Sequence, residues 1–346
     1  MNRMWLFSFF CICGVVIFPL YVQADTFKQC LYKAMETAAD DVTMGQLRER
    51  CQNRQQKETA VKAVPEQAGI STKNKIEVGV VEERVKLDNE HVLEPFTLMA
   101  HKPNYLLFFA HNSDGYNEDP FNEQYGVQDV RFDDMEAQFQ LSVKFPLMTD
   151  LFGSSMDIYA AYTNRSFWQV FNDDISSPFR ETNHEPEVWL QFHPEWNMLG
   201  FNNTLSRIGF SHQSNGQGGT LSRSWNRVYA NITLEHGNLA LGFKPWVRIP
   251  ESEADDDNPD ISDYMGHCEL LAAYRYKENV FSLMTRNNIE SEFSKGAVQL
   301  SWSFPLLYWP YLRGYVQYFN GYGESLIDYN QHTNRIGIGV SLTDWL

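Results

Sequence analysis

The chain has 346 residues, enough for one large domain and a smaller appendage. Its formal net charge of −16 leaves no basic surface to displace phosphate counterions, which argues against a nucleic-acid partner. The average hydropathy is that of a water-soluble protein, yet the chain carries 24 Phe, 17 Tyr and 9 Trp. That combination suits strands alternating apolar and polar residues between aromatic girdles.

Residues 1–24 read as a secretory signal. Arg3 gives a positive start, Trp5–Phe18 is apolar, and Val22-Gln23-Ala24 offers a small-residue cleavage site before Asp25. The alternative is a retained anchor, for which the apolar run is short against ~30 Å of hydrocarbon. Later in the chain no apolar stretch is long enough for a transmembrane helix. Cys11 and Cys13 would leave with the signal. Cys30 and Cys51 would enter an oxidising compartment, as a disulfide or as two free thiols, and Cys268 is odd.

Residues 25–94 form an N-terminal, periplasmic segment. Its first part, to about residue 60, is charged, rich in Ala, Gln and Glu, and helical in pattern. From about 61 to 92 the chain is polar and weakly patterned and reads as a linker. Residues 95–346 form the main domain, and from Asn104 the period becomes two. Ala137, Phe139, Leu141, Val143 and Phe145 alternate with Gln138, Gln140, Ser142 and Lys144. Strands are predicted near 104–112, 134–146, 155–168, 186–193, 203–214, 223–235, 238–249, 264–276, 279–288, 295–304, 311–320 and 333–346. An even count, with Phe167, Trp168, Trp302, Tyr308, Trp309 and Trp345 as interfacial aromatics, favours an all-β, antiparallel transmembrane β-barrel over a soluble sandwich.

On the fifth and sixth predicted strands the faces can be followed residue by residue. Ile208 and Phe210 share a face with His212 and Ser214; Val228, Ala230 and Ile232 share one with Asn226. A symmetric hairpin pairs 210 with 228, 208 with 230 and 212 with 226. Ser214, His212 and Asn226 then project toward lipid just beyond the apolar band. One reading is a strand that has simply left the membrane. The other is a nucleophile, a base and a group that orients the base. With both termini periplasmic, this hairpin lies at the outer rim, where phospholipid ester bonds are found.

The segments His212-Gln213-Ser214-Asn215-Gly216 and Ser222-Arg223-Ser224-Trp225-Asn226-Arg227 resemble the active-site hairpin of the outer membrane phospholipase A family. Ser176 to Asn183, Asp257 to Ile261 and Gly321 to Tyr329 resemble the same family, over about 95–346. The resemblance implies a twelve-stranded barrel, multi-pass in the bacterial outer membrane with its site toward the outer leaflet. It implies phospholipase A1 and A2 hydrolysis of phospholipids and lysophospholipids, with Ser214 as nucleophile, His212 as base and Asn226 as its partner. It further implies Ca2+ as cofactor, bound by Ser222 and the carbonyl of Gln217, with Ser176 supplied by a second subunit. Asp257 matches a second calcium position in the single barrel. The active form would be a homodimer and the resting form a monomer. Departures are Gln217, where the family's best-known member has Arg, and Asn164, in place of a Gln that crosses the dimer interface. The rival from another class is a passive outer-membrane pore, prompted by inward polar positions such as Gln138, Lys144, Arg207 and Arg313.

Overall fold

The computed structural model describes residues 79–91, 98–127, 130–153, 156–194, 196–288, 291–292 and 294–346. The signal segment, the helical reading of 25–60, and Cys30 and Cys51 lie outside the described residues.

Twelve long strands form one sheet. They are β1 (Asn104–Asn112), β2 (Met135–Met148), β3 (Met156–Trp168), β4 (Phe179–Phe192), β5 (Phe201–Ser214) and β6 (Ser224–His236), followed by β7 (Leu239–Ile249), β8 (Cys268–Tyr276), β9 (Asn279–Asn287), β10 (Gly296–Leu306), β11 (Trp309–Gly321) and β12 (Thr333–Thr343). Each pairs antiparallel with its neighbours in sequence, and β12 returns to β1 through Ile338–Phe109 and Val340–Leu106. Closure leaves no long strand with an unpaired edge, the condition for placing a sheet in hydrocarbon. At one end the connections β6–β7, β8–β9 and β10–β11 are two-residue turns, while the opposite end carries longer loops.

Burial is inverted relative to a soluble protein. Ile208, Val228, Val247 and Ile338 are exposed on the outer wall, Val247 by 70%, whereas Gln138, Ser142 and Lys144 are buried inside. The lumen is filled by opposite charges and rings. Lys102 bonds Glu185 at 2.6 Å and Glu187 at 3.0 Å, Lys244 bonds Glu187 at 3.1 Å, and Arg180 bonds Glu136 through both Nε and Nη2. Trp189, Gly209 and Tyr229 are consecutive partners across β4, β5 and β6. A Cβ on Gly209 would lie 2.7 Å from the Trp189 Cβ and 2.8 Å from the Tyr229 Cζ, so the missing side chain makes room for both rings. Among the described residues, spaces of about 150 and 130 Å3 lie between these groups, and Lys102, Lys244 and Trp345 line both.

The observed strands follow the predicted ones to within two residues at each end, with three larger differences. β4 begins at Phe179 rather than 186, because its early half is polar on both faces and shows no apolar alternation. Ile261–Met265 is a short helix, so β8 begins at Cys268 rather than 264. β12 ends at Thr343.

A larger departure is Val80–His91, which the sequence reads as linker and which is an α-helix, α1. Its support is tertiary. The Glu235 carboxylate at the end of β6 accepts from the backbone N–H of Val81 at 2.7 Å and of Glu82 at 3.3 Å, satisfying first-turn donors of the helix. Asp88 pairs with Lys144 at 2.6 Å, and Arg84 donates to the carbonyls of Asp344 and Ala100. Glu235→Ala should therefore cost α1 about 1 kcal/mol or more of docking stability. Faster amide exchange at Val81 and Glu82, with unchanged heat-modifiable barrel migration, is the expected result.

Candidate active site

The β5–β6 hairpin has the register read from the sequence. Phe210 faces Val228, Ile208 faces Ala230 and His212 faces Asn226. A single irregularity between Asn203 and Leu205 lies at the far end of the pair. His212 Nδ1 and Asn226 Oδ1 are 2.9 Å apart. With the ring proton on Nδ1 donated to the amide oxygen, Nε2 presents a lone pair, the tautomer a general base requires. Ser214 lies two residues from His212 on the same face, opposite Ser224 on β6 and His184 on β4. Among the described residues no hydrogen bond joins Ser214 Oγ to His212.

Asn215, absent from the sequence-based set, organises the loop after β5. Its side chain is 3% exposed. Its Nδ2 donates to the Leu221 carbonyl at 2.7 Å and to Glu181 at 3.3 Å, and its Oδ1 accepts from the N–H of Gln217 and of Arg223. The loop also leans on a second helix, α2 (Asp119–Tyr125). There Gln124 Oε1 accepts from the Thr220 N–H at 3.1 Å, and Phe121 packs with Leu221 and Ile327.

Of the four residues expected to bind a cation, the structure brings two together. Ser222 Oγ donates to Asp257 Oδ2 at 2.5 Å. Among the described residues no hydrogen bond ties Ser176 or Gln217 to that pair, and Ser176 sits at φ +65° in the β3–β4 loop. A cluster of three His, Cys, Asp or Glu side chains suited to a metal is absent among the described residues. Hydroxyl, carboxylate and carbonyl oxygens are nonetheless hard donors of the kind calcium takes. The loop carrying Asp257 is fixed by Asn258, whose Oδ1 accepts from the Ser224 N–H at 2.9 Å, and by the Arg248–Asp256 ion pair at 2.6 Å. Tyr329 donates to Asp260 in the same loop, and burial, reinforced by that carboxylate, pushes its phenol up, keeping it protonated.

Two more side chains were not foreseen. His184 Nδ1 lies 2.5 Å from the Tyr162 hydroxyl and 3.5 Å from the Asn164 amide nitrogen, which puts Asn164 beside the strand facing Ser214. Glu251 Oε1 accepts from Asn226 Nδ2 at 2.9 Å. The signals that could have found both are registers: β4 with β5, and β6 with β7.

Asn215→Ala should uncouple the Gln217 and Arg223 amides from their shared acceptor at a cost of ~2–4 kcal/mol to loop order. Limited proteolysis should then cut within 215–223 while the barrel stays intact.

The family model described as Phospholipase A1 matches residues 81–342. The Phospholipase A1 of Salmonella typhimurium is 38% identical over 250 residues, covering 72% of this chain and 83% of that relative. The Phospholipase A1 of Escherichia coli K12 matches equally, with the same coverage. Among solved structures, outer membrane phospholipase A from Escherichia coli aligns with a TM-score of 0.65 at 36% identity, over 72% of this chain and all of that one. A form of the same enzyme carrying an Asn-to-Ala active-site mutation aligns at 0.67 with 37% identity, over 73% of this chain and 95% of that one. The calcium-bound dimer of the Salmonella typhi outer membrane phospholipase aligns at 0.65 with 37% identity, over 72% of this chain and 94% of that one. A closed barrel of twelve strands and these matches agree: the chain belongs to the phospholipase A1 family.

Proposed function

We propose that this barrel, in the bacterial outer membrane, hydrolyses acyl ester bonds of phospholipids and lysophospholipids, with Ser214 as nucleophile, His212 as general base and Asn226 as the residue orienting the base. The observation that carries this is the 2.9 Å contact of His212 Nδ1 with Asn226 Oδ1 on a lipid-facing wall, with Ser214 next along the same face. A polar cluster directed at lipid has a substrate in reach that a lumen-facing one would lack. An active-site asparagine in the related E. coli enzyme supports the role given to Asn226.

Ser214 Oγ attacks the ester carbonyl as its proton passes to His212 Nε2. The imidazolium is held by Asn226 and returns the proton to the departing lysolipid alkoxide, leaving an acyl-serine. Water, deprotonated by the same imidazole, releases the fatty acid. Asn226 orients the ring but carries no charge, so it stabilises the imidazolium less than a carboxylate would.

Calcium is the cofactor suggested by the related Salmonella typhi dimer. Ser222 and the Gln217 carbonyl would hold it with Ser176 of a second copy, and Asp257 would hold one in the single barrel. Bound there, it supplies positive charge to the developing oxyanion. A site completed only by a second copy makes pairing the step from a resting monomer to an active homodimer.

Ser214→Ala should abolish fatty-acid release from detergent-dispersed phospholipid while leaving heat-modifiable migration unchanged. Asn226→Ala should be milder, since the imidazole remains. Excess chelator should silence the wild type; turnover that persists in chelator would remove calcium from the reaction.

A further inference from the structure

We infer that Glu251 is a positioning residue for the hydrolytic site, acting through Asn226 to fix which atom of that amide faces His212. The inference rests on the reading of His212 as the general base and extends it to a fourth residue.

The placement follows from the sheet. β6 and β7 are joined by the two-residue turn Gly237-Asn238, with Gly237 at φ +54°, and their pairing runs from His236–Leu239 to Asn226–Ile249. Ile249 is the last residue of β7 and faces outward beside Asn226. Glu251 lies two residues further along, so an extended chain returns it to the outer face. Its side chain reaches back to Asn226 Nδ2 at 2.9 Å. The segment after it is held by the Arg248–Asp256 ion pair and by Asn258 on the Ser224 N–H, so Glu251 projects from a tied loop.

The chemistry is one of donors and acceptors. An amide offers a donor at one end and an acceptor at the other, and Asn226 alone could turn either toward the imidazole. Turned with its NH2 toward Nδ1, it would favour the tautomer with the proton on Nε2, which cannot accept from Ser214. A carboxylate only accepts. Glu251 therefore claims the NH2 group, leaving Oδ1 for His212 and the basic lone pair on Nε2. It also places a negative charge one amide away from the imidazolium, partly supplying what a neutral asparagine lacks.

The test compares kcat and KM for fatty-acid release by the full-length protein in detergent with saturating calcium, using wild type, Glu251→Ala, Glu251→Gln, Asn226→Ala and the Glu251→Ala/Asn226→Ala double variant. Glu251→Ala should lower kcat roughly 10- to 100-fold, the range seen when an outer hydrogen-bond partner of a metal-bound imidazole is removed, with KM nearly unchanged. Glu251→Gln keeps an acceptor oxygen and should recover most of that loss. In the Asn226→Ala background Glu251→Ala should cause no further loss, because the residue it acts through is gone. Full activity in Glu251→Ala, losses that multiply in the double variant, or recovery of Glu251→Ala by raised calcium would each overturn the inference. Ser214→Ala, run in parallel, separates the two readings: if it still hydrolyses lipid, the assignment of the base falls first.

Discussion

Under the outward grouping lies a buried ion pair that fixes its direction. Arg227, next to Asn226, points into the lumen and donates to Glu185 of β4 at 3.0 Å; Ser211, next to His212, donates to the same carboxylate oxygen at 3.1 Å. A strand has two faces, so seating Arg227 and Ser211 inside obliges Asn226 and His212 to stand outside. A one-residue slip of β5 against β6 would take this charge from its partner and bring apolar Val228 into the lumen. Breaking a buried pair in this way costs ~3–5 kcal/mol. The interior thus determines what the exterior can do, and Gly209 between Trp189 and Tyr229 adds a second check on the same register.

Filling the lumen has a further effect. Charges paired inside, with Arg227 stacked on Trp225 and Lys244 on Tyr229, stiffen the wall from which the side chains project. The loops at the rim are tied by buried amides as well as by apolar packing such as Phe121 on Leu221 and Ile327: Asn215 holds one loop and Asn258 another.

Most of the barrel was legible because lipid outside and polar atoms inside impose a strict period of two. Legibility failed where that contrast vanishes. Phe179–Glu185 carries Thr182 and His184 outward and Glu181, Asn183 and Glu185 inward, so neither face is apolar and the strand is silent until Pro186. The facing of His212 and Asn226 could be read from hairpin symmetry. Glu251 could have been, since the Gly237-Asn238 turn sets Ile249 opposite Asn226, but a glutamate beyond a strand end looks like ordinary rim charge. Asn215 left no trace, because its partners are main-chain atoms whose positions depend on the folded loop. The residues expected to hold calcium came through family resemblance, and Ser222 with Asp257 is the pair the single chain brings together.

The helix α1 went unread for the opposite reason. Its cap is Glu235, at the far end of β6, and Arg84 closes on the carbonyl of Asp344, two residues from the C-terminus. The earliest described element of the chain is thus secured by one of its last residues. During biogenesis this helix has no complete berth until β12 has zipped to β1. An insertion intermediate stalled before the seam forms would therefore carry α1 without its contact to the Asp344 carbonyl.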